Sequence, residues 1–226
     1  MKFLKKTLLC MALTTIGAIA LSQPAAAMTI TVTGMHFPSP TTASIHSGQT
    51  KLNVHAGAFD AIYGSNTLLA WCVDIFQTTT FGQVVTDYSS NSMFSQSTVS
   101  ALSRLATEAL SQVTDSKTSG AFQLAAWEIV NETSGFYSLT NGNFKVDNIS
   151  DSQNALAQDW LSHLPAVSTY SVSVFTSPSK QDLAVFEKLP GLPPASVPEP
   201  ATTALLGLGL LGFVASRRKP AKDSTA

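Results

Sequence analysis

Charge is scarce in this chain. Only 12% of its 226 residues are Asp, Glu, Lys or Arg, against about 25% in ordinary globular domains. That excludes a charge-rich coiled coil and an acidic disordered tail. The formal net charge is −1, so the chain lacks the basic footprint of a nucleic-acid binder, and no nucleic-acid partner is expected. Cysteine is scarcer still: the two are Cys10 and Cys72. If Cys10 leaves with a cleaved leader, the exported part holds one cysteine and no internal disulfide.

What remains is apolar and asymmetric. Hydrophobic residues make up 44% of the chain, enough for one or two domains with a real core. Basic residues crowd the ends: Lys2, Lys5 and Lys6 at one, Arg217, Arg218, Lys219 and Lys222 at the other. Between residues 28 and 196 six cations face twelve acids, a formal balance of −6.

Both ends read as addresses. Lys2, Lys5 and Lys6 precede an apolar run over 7–21 and then Ser22-Gln23-Pro24-Ala25-Ala26-Ala27. A basic start, an apolar run and a small-residue site make a signal peptide over 1–27, with Ala25 and Ala27 at the specificity positions and cleavage after Ala27. At the other end Val197-Pro198-Glu199-Pro200 precedes an apolar stretch, 201–216, and the basic tail 217–226. As a helix the stretch is about 24 Å long, a little short of the roughly 30 Å hydrocarbon core. Snorkelling of Arg217 and Arg218 makes up the difference. The basic end favours a cytoplasmic C-terminus.

The order Pro-Glu-Pro, apolar helix, Arg-rich end resembles the PEP-CTERM sorting signal of Gram-negative bacteria over 197–226. The resemblance implies export across the inner membrane and transient anchoring there. It also implies processing by an exosortase near Pro198 and Pro200, and a destination at the cell surface or in the extracellular matrix. Pro198 and Pro200 lack N–H donors and favour an extended segment that a membrane protease can grip.

The middle, 28–188, is of single-domain length. The Pro-rich stretch 189–196 reads as a tether. Period-two alternation predicts strands over 29–33, 51–55 and 169–175, and an apolar, central strand over 68–76. Val99, Leu102, Ala106, Ala109 and Val113 recur at helical steps after Ser95 or Ser97. A second helix is expected over 121–132, entered through Ser119 and Gly120. A third is expected over 151–164, capped by Ser150 and stopped by Pro165. Strands, helices, then a strand suggest α+β, one domain with an antiparallel sheet and a few helices.

Two residues stand out. Cys72 sits in an apolar run, and a lone exported thiol is a buried inert side chain, half of an intermolecular disulfide, a nucleophile, or a thiol capped by another bond. Gln123 lies in Phe122-Gln123-Leu124-Ala125-Ala126-Trp127. On a helix Gln123 and Trp127 share a face beside the apolar stripe of Phe122, Ala126, Ile129 and Val130. A polar amide there is either satisfied by a neighbouring backbone or used.

Trp71-Cys72-Val73-Asp74 and Phe122-Gln123-x-x-Ala126-Trp127 together resemble the thioester domains of bacterial surface adhesins, over about 60–130. The resemblance implies an internal thioester between Cys72 and Gln123, shielded by Trp71 and Trp127, with Asp74 a polar neighbour. It implies single-use covalent attachment to an amine target, without turnover and without cofactor or metal. Trp71 stands where the family more often has Tyr, Phe or Leu. A non-reactive structural protein of an exopolysaccharide or biofilm matrix is the alternative.

Other signals are weak. His36, His46, His55 and His163 form no hydrolase motif, and His46 and His55 have no acidic or thiol partner nearby in sequence. Asn131-Glu132-Thr133 and Asn148-Ile149-Ser150 match glycosylation sequons, coincidental between bacterial sorting signals. Asp147, Asp151 and Asp159 surround a helix start, suited to the helix dipole or to calcium. Trp160 is a core residue or a sugar-stacking one.

Overall fold

The strand order begins and ends in one sheet. The computed structural model describes residues 27–90, 94–132, 135–147 and 149–190. Their strands are β1 Met28–Met35, β2 Thr41–Ser47, β3 Thr50–Ala56, β4 Phe59–Tyr63, β5 Asn66–Cys72, β6 Val84–Tyr88, β7 Phe144–Asp147, β8 Tyr170–Phe175 and β9 Leu183–Lys188. The helices are α1 Gln96–Ala109, α2 Ser116–Asn131 and α3 Asp151–Ser162. One antiparallel sheet has six strands in the order β6-β1-β4-β5-β9-β8, and a second has three, β3-β2-β7. The fold is α+β, as expected, but with two sheets where one was expected.

α2 is the central element. Residues Ser119 through Ile129 are all buried, and the helix contacts α1, α3, β2, β3 and β7. A helix covered on every side is apolar all round, and the Ala-rich run 121–126 supplies this. Trp71 of β5 packs on Phe122 with ring centroids 4.8 Å apart. The strand that carries Cys72 therefore lies against the helix that carries Gln123.

The helix starts earlier than expected. Asp115 caps it: its carboxylate accepts from Thr118 N–H at 2.7 Å, and the Asp115 N–H donates to Thr118 Oγ1 at 3.1 Å. This reciprocal cap uses Asp and Thr in place of the usual Ser/Thr and Glu. Gly120 lies inside the helix because β2 passes close by; a Cβ there would come 2.6 Å from Thr41 Cβ. Thr41 Oγ1 is held by Gln153 Nε2 at 2.6 Å and cannot swing away freely. We expect Gly120→Ala to destabilise the fold by about 1–3 kcal/mol through overpacking. That outweighs the gain in helix propensity, about 1 kcal/mol, and a lowered urea midpoint will report it.

The other elements follow local rules. Ser95 caps α1 and Ser150 caps α3. The strand expected over 68–76 stops at Cys72 because Asp74 Oδ1 accepts from Phe76 N–H at 2.8 Å, which turns the chain. β2, β4, β6, β7 and β9 carried no clear alternation and escaped the sequence reading. Of the three aspartates around α3, only Asp151 is in its first turn. Asp147 is in β7 and pairs with His46 at 2.7 Å, and Asp159 pairs with His163 near the helix end at 3.2 Å. Trp160 is 1% exposed, so it presents no face to a sugar.

Candidate functional site

Cys72 is the last residue of β5. On one side it pairs with Leu183 of β9. On the other side the β4–β5 ladder ends at Phe59 opposite Ala70, so no strand continues there. Gln123 reaches into that place from α2. Its Nε2 donates to the Cys72 carbonyl oxygen at 2.7 Å, across 51 positions of sequence. Both residues are buried.

The rest of the Gln123 amide is unusual. Its Oε1 is buried and has no hydrogen-bond partner among the described residues, and the same holds for Nε1 of Trp71 and of Trp127. A buried polar atom left unpaired costs about 1–3 kcal/mol. Such atoms are rare in folded proteins, and each calls for an explanation.

The thiol is held but not activated. Cys72 Sγ donates to the Asp74 carbonyl at 2.9 Å. Burial pushes its pKa up to about 12. The bond to Asp74 pulls the other way, as does the Trp127 indole, which lies near enough to favour a thiolate but completes no hydrogen bond. The Asp74 and Asp182 carboxylates raise it further. At neutral pH the sulfur is a thiol.

The sequence reading placed Asp74 as a polar neighbour. Its backbone carbonyl meets the sulfur, while its carboxylate turns to Phe76. Asp182 was missed: it is buried, its carboxyl is raised by desolvation, and its carbonyl accepts from Val73 N–H at 2.9 Å. Nothing local marks it, because β9 brings it back from 110 positions away.

A cleft of about 600 Å³ opens beside the pair. Trp127 belongs to both: it lines the cleft and its indole flanks Cys72. Phe76 and Phe81 stand at the cleft, exposed by 62% and 52%. These aromatics in the segment after the cysteine were the overlooked sequence signal. The histidines lie elsewhere or on a wall. His36 pairs with Asp60 at 2.7 Å. His46 finds in Asp147 the acidic partner its neighbouring sequence lacks. His55 lines the cleft. No group of three metal-ligating side chains occurs among the described residues.

Trp71, Cys72, Gln123 and Trp127 are thus gathered at one place. The sequons include the undescribed residues 133 and 148. Ala27 precedes β1, whereas Ala25, with the rest of 1–26, lies outside the described residues. So do Val197, Pro198, Glu199, Pro200, Arg217, Arg218 and Lys219, together with the span expected over 201–216. None of the described helices is long and apolar enough to cross a membrane.

Comparison with known proteins adds the address. No curated protein and no solved structure matches the chain. Residues 196–219 match the PEP-CTERM protein-sorting motif. The chain therefore carries the sorting signal of an exported protein, held at a membrane until an exosortase processes it.

Proposed function

We propose that the domain is a covalent attachment module delivered to the surface or extracellular matrix of a Gram-negative cell. Cys72 and Gln123 form its internal thioester. The Cys72 sulfur attacks the side-chain carbonyl carbon of Gln123. The S–C bond forms, the C–N bond breaks, and the thiol proton departs with the amide nitrogen as ammonia. Making a thioester from an amide is uphill; rigid juxtaposition lowers the barrier, by up to about 7–11 kcal/mol in well-oriented systems, and escape of ammonia into solution draws the exchange forward. An amine on a target then displaces the sulfur, leaving an amide at Gln123 and a free Cys72 thiol. There is one event per molecule and no turnover.

The observation that carries this reading is the 2.7 Å hydrogen bond from the Gln123 side-chain amide to the Cys72 backbone carbonyl, which holds the two buried residues together where Gln123 Oε1 has no partner among the described residues. The buried indoles of Trp71 and Trp127 help exclude the water that would hydrolyse the bond.

A second reading rests on the same contact. The Gln123 amide supplies a donor where the β4 ladder has ended, and burial leaves the Cys72 thiol unreactive. The protein is then a non-reactive structural component of the matrix.

Intact mass decides between them. The chain, purified in detergent after signal removal, is weighed with and without methylamine. Covalent attachment requires a mass short by one ammonia, and a gain of one methylamine mapped to Gln123. A full encoded mass, with a thiol that alkylates on denaturation, leaves the structural reading.

A further inference from the structure

The cleft beside Trp127 has a distinctive wall. Four consecutive residues of β3, Leu52, Asn53, Val54 and His55, line it. Side chains along a strand alternate between its two faces, so four in a row border one cleft only along the strand's edge. That edge is open: among the described residues β3 pairs with β2 alone.

Hydrogen-bond parity identifies the groups presented there. The Gly48 N–H donates to the Asn143 carbonyl at 2.9 Å. In the antiparallel ladder this turns the backbone groups of Ser44 and His46 toward β7, and those of Ala43 and Ile45 toward β3. Opposite Ala43 and Ile45 stand Val54 and Leu52. The N–H and C=O groups of Lys51, Asn53 and His55 therefore face outward. Ile75, Phe76, Phe81 and Trp127 also line the cleft.

We propose that this cleft takes an extended polypeptide segment of a partner, which adds to β3 as a further strand and brings a lysine to the Cys72–Gln123 pair. The strand addition stands by itself; only the lysine step rests on the covalent reading above. A row of backbone donors and acceptors at two-residue spacing matches an extended peptide and not a sugar or a lipid. The apolar walls suit its alternate side chains. Among the described residues the lining holds no Asp or Glu; the −6 balance over 28–196 steers a cationic segment toward the domain as a whole. The chain's own stretch 191–200 is unsuited, since Pro193, Pro194, Pro198 and Pro200 have no N–H to give a ladder. In the covalent step the neutral lysine amine attacks the thioester carbonyl carbon. The N–C bond forms, the S–C bond breaks, and the amine's proton passes to the departing Cys72 sulfur.

The test uses a fluorescein-labelled nonapeptide of alternating Thr and Val with one central Lys. Binding is read by anisotropy on the detergent-purified Cys72→Ser chain, which cannot form a thioester. We expect saturable binding, weakened about tenfold or more by backbone N-methylation in one register and little in the other, as loss of edge hydrogen bonds requires. Asn53→Pro, which removes one outward N–H, and Phe81→Ser, which removes an apolar lining side chain, should each weaken it similarly while leaving the circular dichroism unchanged. With the Cys72 chain, the peptide should acylate faster than methylamine at equal amine concentration. Absence of saturable binding, or equal tolerance of both N-methylation registers, overturns the proposal. So does a dimer that Asn53→Pro dissolves in the absence of peptide binding, which would assign the edge to a second copy. Binding without any methylamine adduct keeps the strand addition and defeats the covalent reading.

Discussion

From the proposed thioester we expect Cys72→Ala to leave the chain at its full encoded mass and to remove every trace of methylamine incorporation, and Gln123→Ala to do the same. The effect is all-or-none because the bond needs both partners: without the sulfur there is no nucleophile, and without the amide there is no acyl group. Trp127→Phe behaves differently. It keeps an aromatic wall but shrinks it, so the thioester still forms and its reaction with methylamine and with water accelerates. Hydrolysis converts Gln123 to glutamate, which peptide mapping detects. Mass spectrometry of the three variants, with circular dichroism confirming the fold, checks the prediction. If Cys72→Ala still incorporates methylamine at Gln123, the residue is modified by some other route and the thioester is excluded.

Glu128→Gln flattens much of the fall in stability between pH 4.5 and 7. Glu128 lies within the buried run of α2 and is 0% exposed. Its Oε1 accepts from Ser138 N–H at 2.7 Å, and its Oε2 has no partner among the described residues. Burial pushes its pKa up from 4.5 to about 7; the Ser138 bond pulls it back, and Glu132 adds to the rise. The fold thus prefers the neutral acid.

Below pH 4.5 the carboxyl is protonated in both the folded and the unfolded chain, and there is no penalty. As pH rises toward 7 the unfolded chain releases the proton and the folded chain keeps it, so stability falls. Above 7 the loss is complete, about 3 kcal/mol in all. Asp182, also raised by burial, adds a slope of the same sign that survives the substitution. Asp87, Asp115 and Asp147 are lowered, so they act in the opposite sense and only at more acid pH. Urea unfolding at several pH values between 4.5 and 8 measures the slope. If it is unchanged in Glu128→Gln, Glu128 is ionised in the fold.

Glu128 also shows the limit of periodicity. A glutamate is seldom fully buried, and Glu128 lies outside the apolar stripe of Phe122, Ala126, Ile129 and Val130. α2, however, is wrapped by α1, α3 and the small sheet, so even its polar residues are enclosed. Ser119 meets this by accepting a hydrogen bond: the Ala58 N–H donates to Ser119 Oγ at 2.8 Å. Gln123 meets it at Cys72. Glu128 meets it by holding the loop at Ser138.

The sequence by itself determined what depends on neighbouring residues. Export and sorting are read by other machinery from linear segments, so Pro198, Glu199, Pro200 and the basic tail suffice. The caps at Ser95 and Ser150, the stop before Pro165 and the clean alternation of β1 and β8 are likewise local, and with them came the α+β class. Nothing in the 51-residue separation of Cys72 and Gln123 requires contact; the hydrogen bond between them is set by the tertiary fold.

Tertiary structure decided the rest. It alone set which atom of Asp74 meets the sulfur, that Asp182 approaches the site, that Gln123 Oε1 is left without a partner, and that the open edge of β3 borders the cleft at Trp127. The physical reason is that these properties belong to relations between sheet edges and a buried helix. Burial, hydrogen-bond completion and strand parity are fixed by which surfaces meet, and a chain's local pattern does not encode which surfaces those will be.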